Sequence, residues 1–333
     1  MDPTRQKDQK LEALRGLAIL LVVAYHVDVW LPGQPPGFFI GFKYILSFIR
    51  MPLFACISGY VYALRPLAPG AGWKFLGGKI RRLLLPMVCV GVFSYFLNLF
   101  PPYVKTPQNI LDIWRLLVFP PHQFWFLQTL FLIFVIITVL ESLKWLDNLS
   151  FWLAAVGLII LATLLAKSGI FKPIDLPFST RPLIFLLPYF LFGLGVCRFE
   201  LLRKNRWITI VAAVLAAVGL TLQIFILAGR LKILDLRGSL FYFCLSFAYI
   251  FLLLKIKWKA KGLSILGSFS YSIFLFHVYV IIAVKVILSA SPLNLAPAWR
   301  FGILLLSGLS LSILAHLLLK RFTLTRRLFL GLR

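Results

Sequence analysis

The sequence predicts an all-α polytopic membrane protein, a bundle of about ten transmembrane helices with both termini on the cytoplasmic side. Three observations predict it: the share of apolar residues, their arrival in blocks of membrane-crossing length, and the uneven placement of Lys and Arg between successive loops. Of 333 residues, 61% are apolar and 14% charged, against roughly half and a quarter in soluble domains. That much apolar surface cannot be covered by so few polar side chains, so the solvent for this fold is lipid.

Apolar runs between charged or Pro/Gly-rich breaks place spans at 11–30, 40–64, 83–100, 123–141, 150–167, 182–199, 207–228, 238–255, 264–288 and 299–319. Each approaches the ~20 residues that cross a ~30 Å hydrocarbon core. The second contains Arg50-Met51-Pro52, which predicts a kink or break near its middle. With the N-terminus inside, alternate loops carry 22 Lys and Arg on the cytoplasmic side and nine on the other. A missed or invented span would invert every later loop and blur that contrast. The expected location is the inner (plasma) membrane.

The net charge of +25 reads as topogenic charge in short loops. No basic stripe interleaved with aromatics stands clear of the membrane, which argues against nucleic acid as a partner. Cys56, Cys89, Cys197 and Cys244 all lie in apolar blocks without metal-ligand spacing and read as small buried hydrophobes, with no metal expected. No cleavage site follows Leu17–Trp30, so this block reads as the first span rather than a signal peptide. The longest non-apolar stretches, 65–82 and 101–122, are too short to bury a core. A single integral-membrane domain over 1–333 is expected, with cytoplasmic tails at 1–10 and 320–333.

Function is sought among polar groups that the bilayer should exclude. In the first span Arg15 and His26 are eleven residues apart, which puts them on one helix face about 16 Å apart along the axis. Arg15 falls near the inner headgroups, where a guanidinium suits a phosphate. His26 falls in the outer half, where an imidazole serves as base or acyl acceptor. A snorkelling Arg and a hydrogen-bonded His explain the same pair without function.

Four further constellations follow. In Met51-Pro52-Leu53-Phe54-Ala55-Cys56-Ile57-Ser58-Gly59-Tyr60, Ser58 can face a cavity or only a neighbouring helix, and Arg50 sits beside the break. Lys79-Ile80-Arg81-Arg82 and Pro86 form an anion cradle or a positive-inside stop. His122-Gln123-Phe124-Trp125-Phe126-Leu127 ends the outer side of the fourth span, with Trp125 an interfacial belt residue and His122 a loop residue or site wall. In Ser268-Phe269-Ser270-Tyr271-Ser272-Ile273-Phe274-Leu275-Phe276-His277, Ser270 and His277 share a face, with His277 near mid-membrane. His316 reads as packing or interfacial.

Taken together these residues resemble the acyltransferase 3 family of membrane-bound O-acyltransferases, which modify cell-surface glycans and other envelope molecules. The likeness covers nearly the whole chain. Arg15 and His26 look like the family's Arg-x10-His hallmark. MPLFACISGY is similar to its Pro-Leu-Phe-Phe…Ser-Gly block, notably in the sugar acetylase-like branch. Lys79-x-x-Arg82 with Pro86, Trp125-Phe126-Leu127 and SYSIFLFH resemble three further family motifs, all in family order. The chain departs from the pattern at Arg50, where many of these acetylases have His, and at Lys79, where the motif begins with Arg. No periplasmic hydrolase-like domain is expected after the membrane part.

The resemblance implies an acyl-CoA donor, most often acetyl-CoA, on the cytoplasmic side and an acceptor hydroxyl on a glycan outside. Arg15, Lys79, Arg81 and Arg82 are then expected to hold the nucleotide phosphates, with Ser58 also on the donor side. His26 is expected to act as general base or brief acyl carrier, and Arg50 to steady the oxyanion. Trp125, His122, His277, Ser270 and Tyr271 are expected to line the acceptor cavity. Two other classes stay open: a transporter or flippase of an anionic molecule, suggested by the break at Pro52, and a scaffold subunit that tolerates loss of Arg15 and His26.

Overall fold

The computed structural model describes residues 3–29, 37–97, 111, 113–120, 122–168, 177–201, 206–231, 238–292 and 295–332, and these contain helices and turns but no strand. The helices are α1 (Pro3–Val29), α2 (Gly37–Ser47), α3 (Arg50–Leu64), α4 (Gly72–Lys79), α5 (Leu85–Leu97), α6 (Arg115–Val118), α7 (Trp125–Ser142), α8 (Leu149–Lys167), α9 (Thr180–Arg198), α10 (Arg206–Leu227), α11 (Leu240–Lys255), α12 (Lys261–Ser268), α13 (Ser270–Ala290), α14 (Pro297–Arg321) and α15 (Thr323–Leu330). A π-helical turn, Ile80–Leu84, joins α4 to α5.

Among the described residues, seven stretches are long and apolar enough to cross a membrane: Lys43–Leu64, α7, α8, α9, α10, α13 and α14. Of the three other expected spans, α11 is apolar but 16 residues long, and α5 is described over 13 residues. α1 is 27 residues long but carries Glu12, Arg15 and Asp28 within its apolar stretch. The outer surfaces fit a lipid solvent. Phe151, Leu153, Leu158 and Leu161 stand exposed along α8, as do Ile210, Val211, Val214 and Ile224 along α10. Rows of this kind are associated with membrane contact and would aggregate in water.

The chain forms two compact units. The first comprises Met1–Leu64 and Tyr189–Ala315, and the second Arg65–Pro188 and His316–Arg333. In the first unit α1 packs on α12, α13, α3 and α2. Its closest neighbour is α12, through a reciprocal pair of glycines. A Cβ on Gly16 would overlap the carbonyl of Leu263, and one on Gly267 would overlap the carbonyl of Glu12. The same device joins α3 to α9, where Gly59 lies against the Phe190 carbonyl and Gly193 against that of Cys56. Small residues bring the backbones together, where Cα–H groups meet carbonyl oxygens and dispersion contacts multiply. In the second unit α15 packs on α5, and α7 packs on both α4 and the π turn.

Two boundaries differ from the sequence pattern. The expected span 264–288 is divided at Phe269 (φ −100°, ψ 3°) into α12 and α13, both of which pack on α1. α1 begins at Pro3, well before its apolar block. Pro is favoured in a first helical turn, where its missing N–H has no partner to lose. The four cysteines are free thiols, Cys56 fully buried and the others half-buried.

Gly59→Ala and Gly267→Ala should each lower the thermal unfolding midpoint of the detergent-solubilised protein, by an overpacking cost of about 1–3 kcal/mol. Gly157→Ala, in α8, meets nothing within 4 Å and should leave the midpoint unchanged or raise it, since Ala is the better helix former by roughly 0.5–1 kcal/mol.

Candidate active site

The first unit is built around α1. No residue from Lys10 to Val27 is fully exposed, and Ala13, Leu14, Ala18, Ile19, Val22, Val23 and Val27 are sealed on all sides. One uninterrupted helix carries both Arg15 and His26, each half-buried. The stripe that they define is therefore partly covered by the neighbouring helices. His26 lies in the last turn of α1, where the helix dipole favours a cation.

α13 brings a second imidazole to the first. The rings of His26 and His277 have centroids 5.0 Å apart and planes inclined at 64°. His277 is fully buried. Its Nδ1 lies 2.8 Å from the Ile273 carbonyl oxygen and 3.0 Å from that of Phe274. Both oxygens only accept, so Nδ1 carries the proton and donates. In the neutral ring Nε2 is then a bare acceptor, and it is buried without a hydrogen-bond partner in the protein. Ser270 opens α13 and is nearly buried, two turns before His277, and Tyr271 beside it is half-buried.

The helix break stands where Pro52 requires it. α2 ends at Ser47 and α3 starts at Arg50, so Pro52 occupies the first turn of α3, where no N–H is needed. Hydrogen bonds of the tighter 3₁₀ kind carry the chain through, Phe48 N–H to Ile45 at 3.2 Å and Ile49 N–H to Leu46 at 3.2 Å. The carbonyl of Ser47 accepts from the Tyr242 hydroxyl at 2.5 Å. Phe48 stacks on that same Tyr242 ring, centroids 4.4 Å apart. A clamp from α11 thus sets where α3 begins, and with it the position of Arg50.

The Arg50 guanidinium carbon sits 3.3 Å from the centroid of the Tyr25 ring, with Lys43 Nζ on the same ring at 5.8 Å. Tyr25 is the neighbour of His26, their rings edge-on at 5.5 Å. Arg50 is therefore held beside the imidazole pair through Tyr25, a residue the sequence reading passed over, as it did Lys43. Ser58 donates its hydroxyl proton to the Phe54 carbonyl at 2.8 Å, a bond within its own helix.

In the second unit, Pro86 explains the geometry of the basic cluster. Pro86 has no N–H to offer the carbonyl of Arg82, and the preceding turn widens to a π-helix in which Leu85 N–H reaches the Ile80 carbonyl. Lys79 and Arg81 are half-buried and Arg82 is exposed. The Lys79 ammonium lies 3.6 Å from the Phe134 ring centroid and 4.9 Å from that of Phe75. Burial, with the charge of Arg82 added, pushes Lys79 down to about 8.

The expected basic tail is a docked helix. A Cβ at Gly331, which caps α15 with φ +63°, would come within 2.6 Å of the Arg81 carbonyl oxygen and 2.9 Å of Arg82 Cα. Gly at this position, after a helix carrying Leu324, Leu328 and Leu330, was a C-cap signal present in the sequence.

Trp125 opens α7, half-buried and edge-on to Phe126 at 6.0 Å. His122 enters the preceding 3₁₀ turn, and its side chain lies outside the described part of the structure. The buried polar group nearest Trp125 along α7 is one the sequence reading missed. Gln128 donates to the Leu117 carbonyl and accepts from Ser179 at 2.6 Å, tying the segment before α9 to α7. Among the described residues no group of three His, Cys, Asp or Glu is placed to hold a metal. His316, near the end of α14, is half-buried.

Residues 8–317 match the family model described as the acyltransferase domain of the acyltransferase 3 family. The chain belongs to that family. Neither a curated protein nor a solved structure matches it. Membership establishes a membrane acyltransferase in general terms, and the pair of His26 and His277 lies within the matched residues.

Tyr25→Leu should lower the thermal unfolding midpoint in detergent by the worth of a cation–π contact, about 0.5–2 kcal/mol. Tyr25→Phe, which keeps the ring under Arg50, should not. Equal losses in both variants would assign the effect to the tyrosine hydroxyl instead.

Proposed function

We propose that this acyltransferase 3 protein moves an acyl group, acetyl in the simplest case, from acyl-CoA on the cytoplasmic side to a hydroxyl of an envelope or exported glycan. The observation that carries this reading is His26, a half-buried imidazole against His277 on a helix that also carries Arg15. Supporting it is the topology of ten spans with both termini inside, in the inner membrane, argued from the loop charges. That topology puts Arg15 at the cytoplasmic rim and His26 in the outer half of the bilayer.

In this proposal His26 takes the proton of the acceptor hydroxyl as its oxygen attacks the thioester carbonyl. Negative charge then develops on the carbonyl oxygen, and Arg50, fixed on the Tyr25 face, is suited to steady it. Collapse expels the CoA thiolate, which recovers the proton from His26. Arg15 serves an anionic group of the donor. In the second unit the basic π turn of Lys79, Arg81 and Arg82 suits phosphate, where guanidinium forks and an ammonium give charge-assisted hydrogen bonds. Ser270 and Tyr271 at the start of α13 are proposed on the acceptor side, as is Trp125 in the second unit.

The test is His26→Ala in native membranes supplied with labelled acetyl-CoA. Transfer of label to envelope glycan should fall at least ~100-fold, the usual contribution of a general base. Undiminished transfer would remove His26 from the chemistry. Movement of an anionic substrate without consumption of acetyl-CoA would favour a transporter, the class in which helices broken as α2 and α3 are also occur.

A second expectation concerns pH. If Lys79 contacts donor phosphate as an ammonium, the apparent KM for acetyl-CoA should rise as pH climbs through about 8 and the proton is lost. Lys79→Arg, which stays charged, should flatten that rise. A KM with the same pH dependence in both proteins would place Lys79 outside the donor site.

A further inference from the structure

We infer that His277 is a positioning residue, whose Nε2 accepts a hydrogen bond from a ring N–H of His26 in the reacting state, a bond not made in the resting structure, and so fixes the tautomer of the base. The inference rests on the reading of His26 as general base, and it moves His277 from the wall of an acceptor cavity to a partner of the reacting group.

Three observations carry it. First, the tautomer of His277 is set by its own backbone. Nδ1 faces two carbonyls, of Ile273 and Phe274, so the ring's remaining capacity is one lone pair on Nε2. Second, that lone pair is fully buried and without a hydrogen-bond partner in the protein. A buried acceptor left unsatisfied costs free energy, and native structures rarely keep one without a reason.

Third, the two rings are close enough for a nitrogen-to-nitrogen hydrogen bond to form on a turn of the His26 side chain, although this structure does not make it, since Nε2 has no partner. With each ring nitrogen roughly 1.1 Å from its centroid and a donor–acceptor distance of about 2.9 Å, an in-line pair puts centroids about 5 Å apart. The observed separation is 5.0 Å. The 64° between the ring planes is no obstacle, since rotation about the N–H···N axis leaves the bond intact. Phe274, the other ring beside His277 at 6.1 Å, has no group to offer.

The consequence for His26 is chemical. An imidazole alone divides its proton between two nitrogens, so the lone pair faces the substrate only part of the time. A neutral acceptor behind it holds the proton on the rear nitrogen and leaves the front one bare, as the carboxylate does in a Ser-His-Asp triad. The acceptor hydroxyl then gives its proton to the front nitrogen as its oxygen forms the bond to the acyl carbon. The resulting imidazolium keeps its rear hydrogen bond to Nε2 of His277. The front proton passes to the CoA sulfur as the C–S bond breaks, and both imidazoles return to their starting state.

The experiment compares His277→Phe, which fills the volume without an acceptor, with His277→Gln, whose amide oxygen reaches about as far as Nε2. Native membranes carrying each variant are supplied with labelled acetyl-CoA, and both label in the glycan fraction and release of free CoA are followed. His277→Phe should lose about 100-fold in kcat with the acetyl-CoA KM changed by less than about threefold. His277→Gln should recover at least tenfold of that loss. In a His26→Ala background, His277→Phe should cost nothing further, because the two residues act as a unit.

Full kcat in His277→Phe, equal losses in Phe and Gln, or additive losses in the His26→Ala background would each overturn the inference. Should His277→Phe fail to fold, His277→Asn, whose shorter amide reaches only the Nδ1 position, replaces it. Asn at least tenfold slower than Gln supports the role, and equal rates overturn it. The broader reading fails differently: it falls if His26→Ala alone retains transfer, whatever happens at His277.

Discussion

The polar chemistry of this membrane protein depends on how closely α1 can approach its neighbours. At Gly16 and Gly267 the backbones of α1 and α12 touch, each glycine pressed on a carbonyl of the opposite helix. A helix carrying Glu12, Arg15, Tyr25 and His26 would insert poorly if any of these met hydrocarbon, where an Arg costs roughly 2.5–3.5 kcal/mol on insertion scales. Contact with α2, α3, α12 and α13 leaves no part of α1 between Lys10 and Val27 fully exposed. Gly308 of α14 adds to this enclosure, since a Cβ there would meet Val23 at 3.1 Å. The polar stripe is tolerated to the extent that neighbouring helices cover it.

Much of this was legible in the sequence, and the residues show why. Lipid imposes a length and a composition on each span, so α7, α8, α9, α10 and α14 follow directly from apolar runs. The face shared by Arg15 and His26 needs only helical periodicity. Pro52 and Pro86 announce local departures because a missing N–H has to be accommodated somewhere. What the sequence left hidden is long-range and geometric. No periodicity tells that His277, 251 positions along the chain from His26, closes to 5.0 Å. Nor does it tell that Tyr25 carries Arg50 on its face, since an aromatic beside a histidine reads as ordinary apolar filling. The division at Phe269 was equally invisible, because the Ser, Tyr and His residues of the run 264–288 are as compatible with one continuous span as with two helices.

The local breaks deserve a common physical account. Inside a bilayer a carbonyl released from its helical ladder has no water to turn to, and leaving it bare costs several kcal/mol. A break can therefore persist only where the protein supplies a partner. The break between α2 and α3 meets this demand with the Tyr242 hydroxyl on Ser47. The one before Pro86 meets it by widening to a π turn. Both lie beside cations singled out by sequence, Arg50 in the first case and Lys79, Arg81 and Arg82 in the second. At these two places irregular backbone lies beside charge, while other residues hold the charge itself, Tyr25 under Arg50 and Phe134 and Phe75 against Lys79.

His277 obeys the same rule with one term left open. Its Nδ1 takes up the carbonyls of Ile273 and Phe274, which bends an ordinary histidine into a fixed tautomer. A residue kept only for packing would need no second nitrogen, and Phe or Leu would fill the space without an unsatisfied acceptor. An imidazole there is an energetic liability unless Nε2 meets a donor during part of the protein's cycle. His26, half-buried on α1, is the ring of that helix whose centroid lies 5.0 Å from the His277 ring. The liability in the resting structure and the need for an oriented base in acyl transfer are then two sides of one contact.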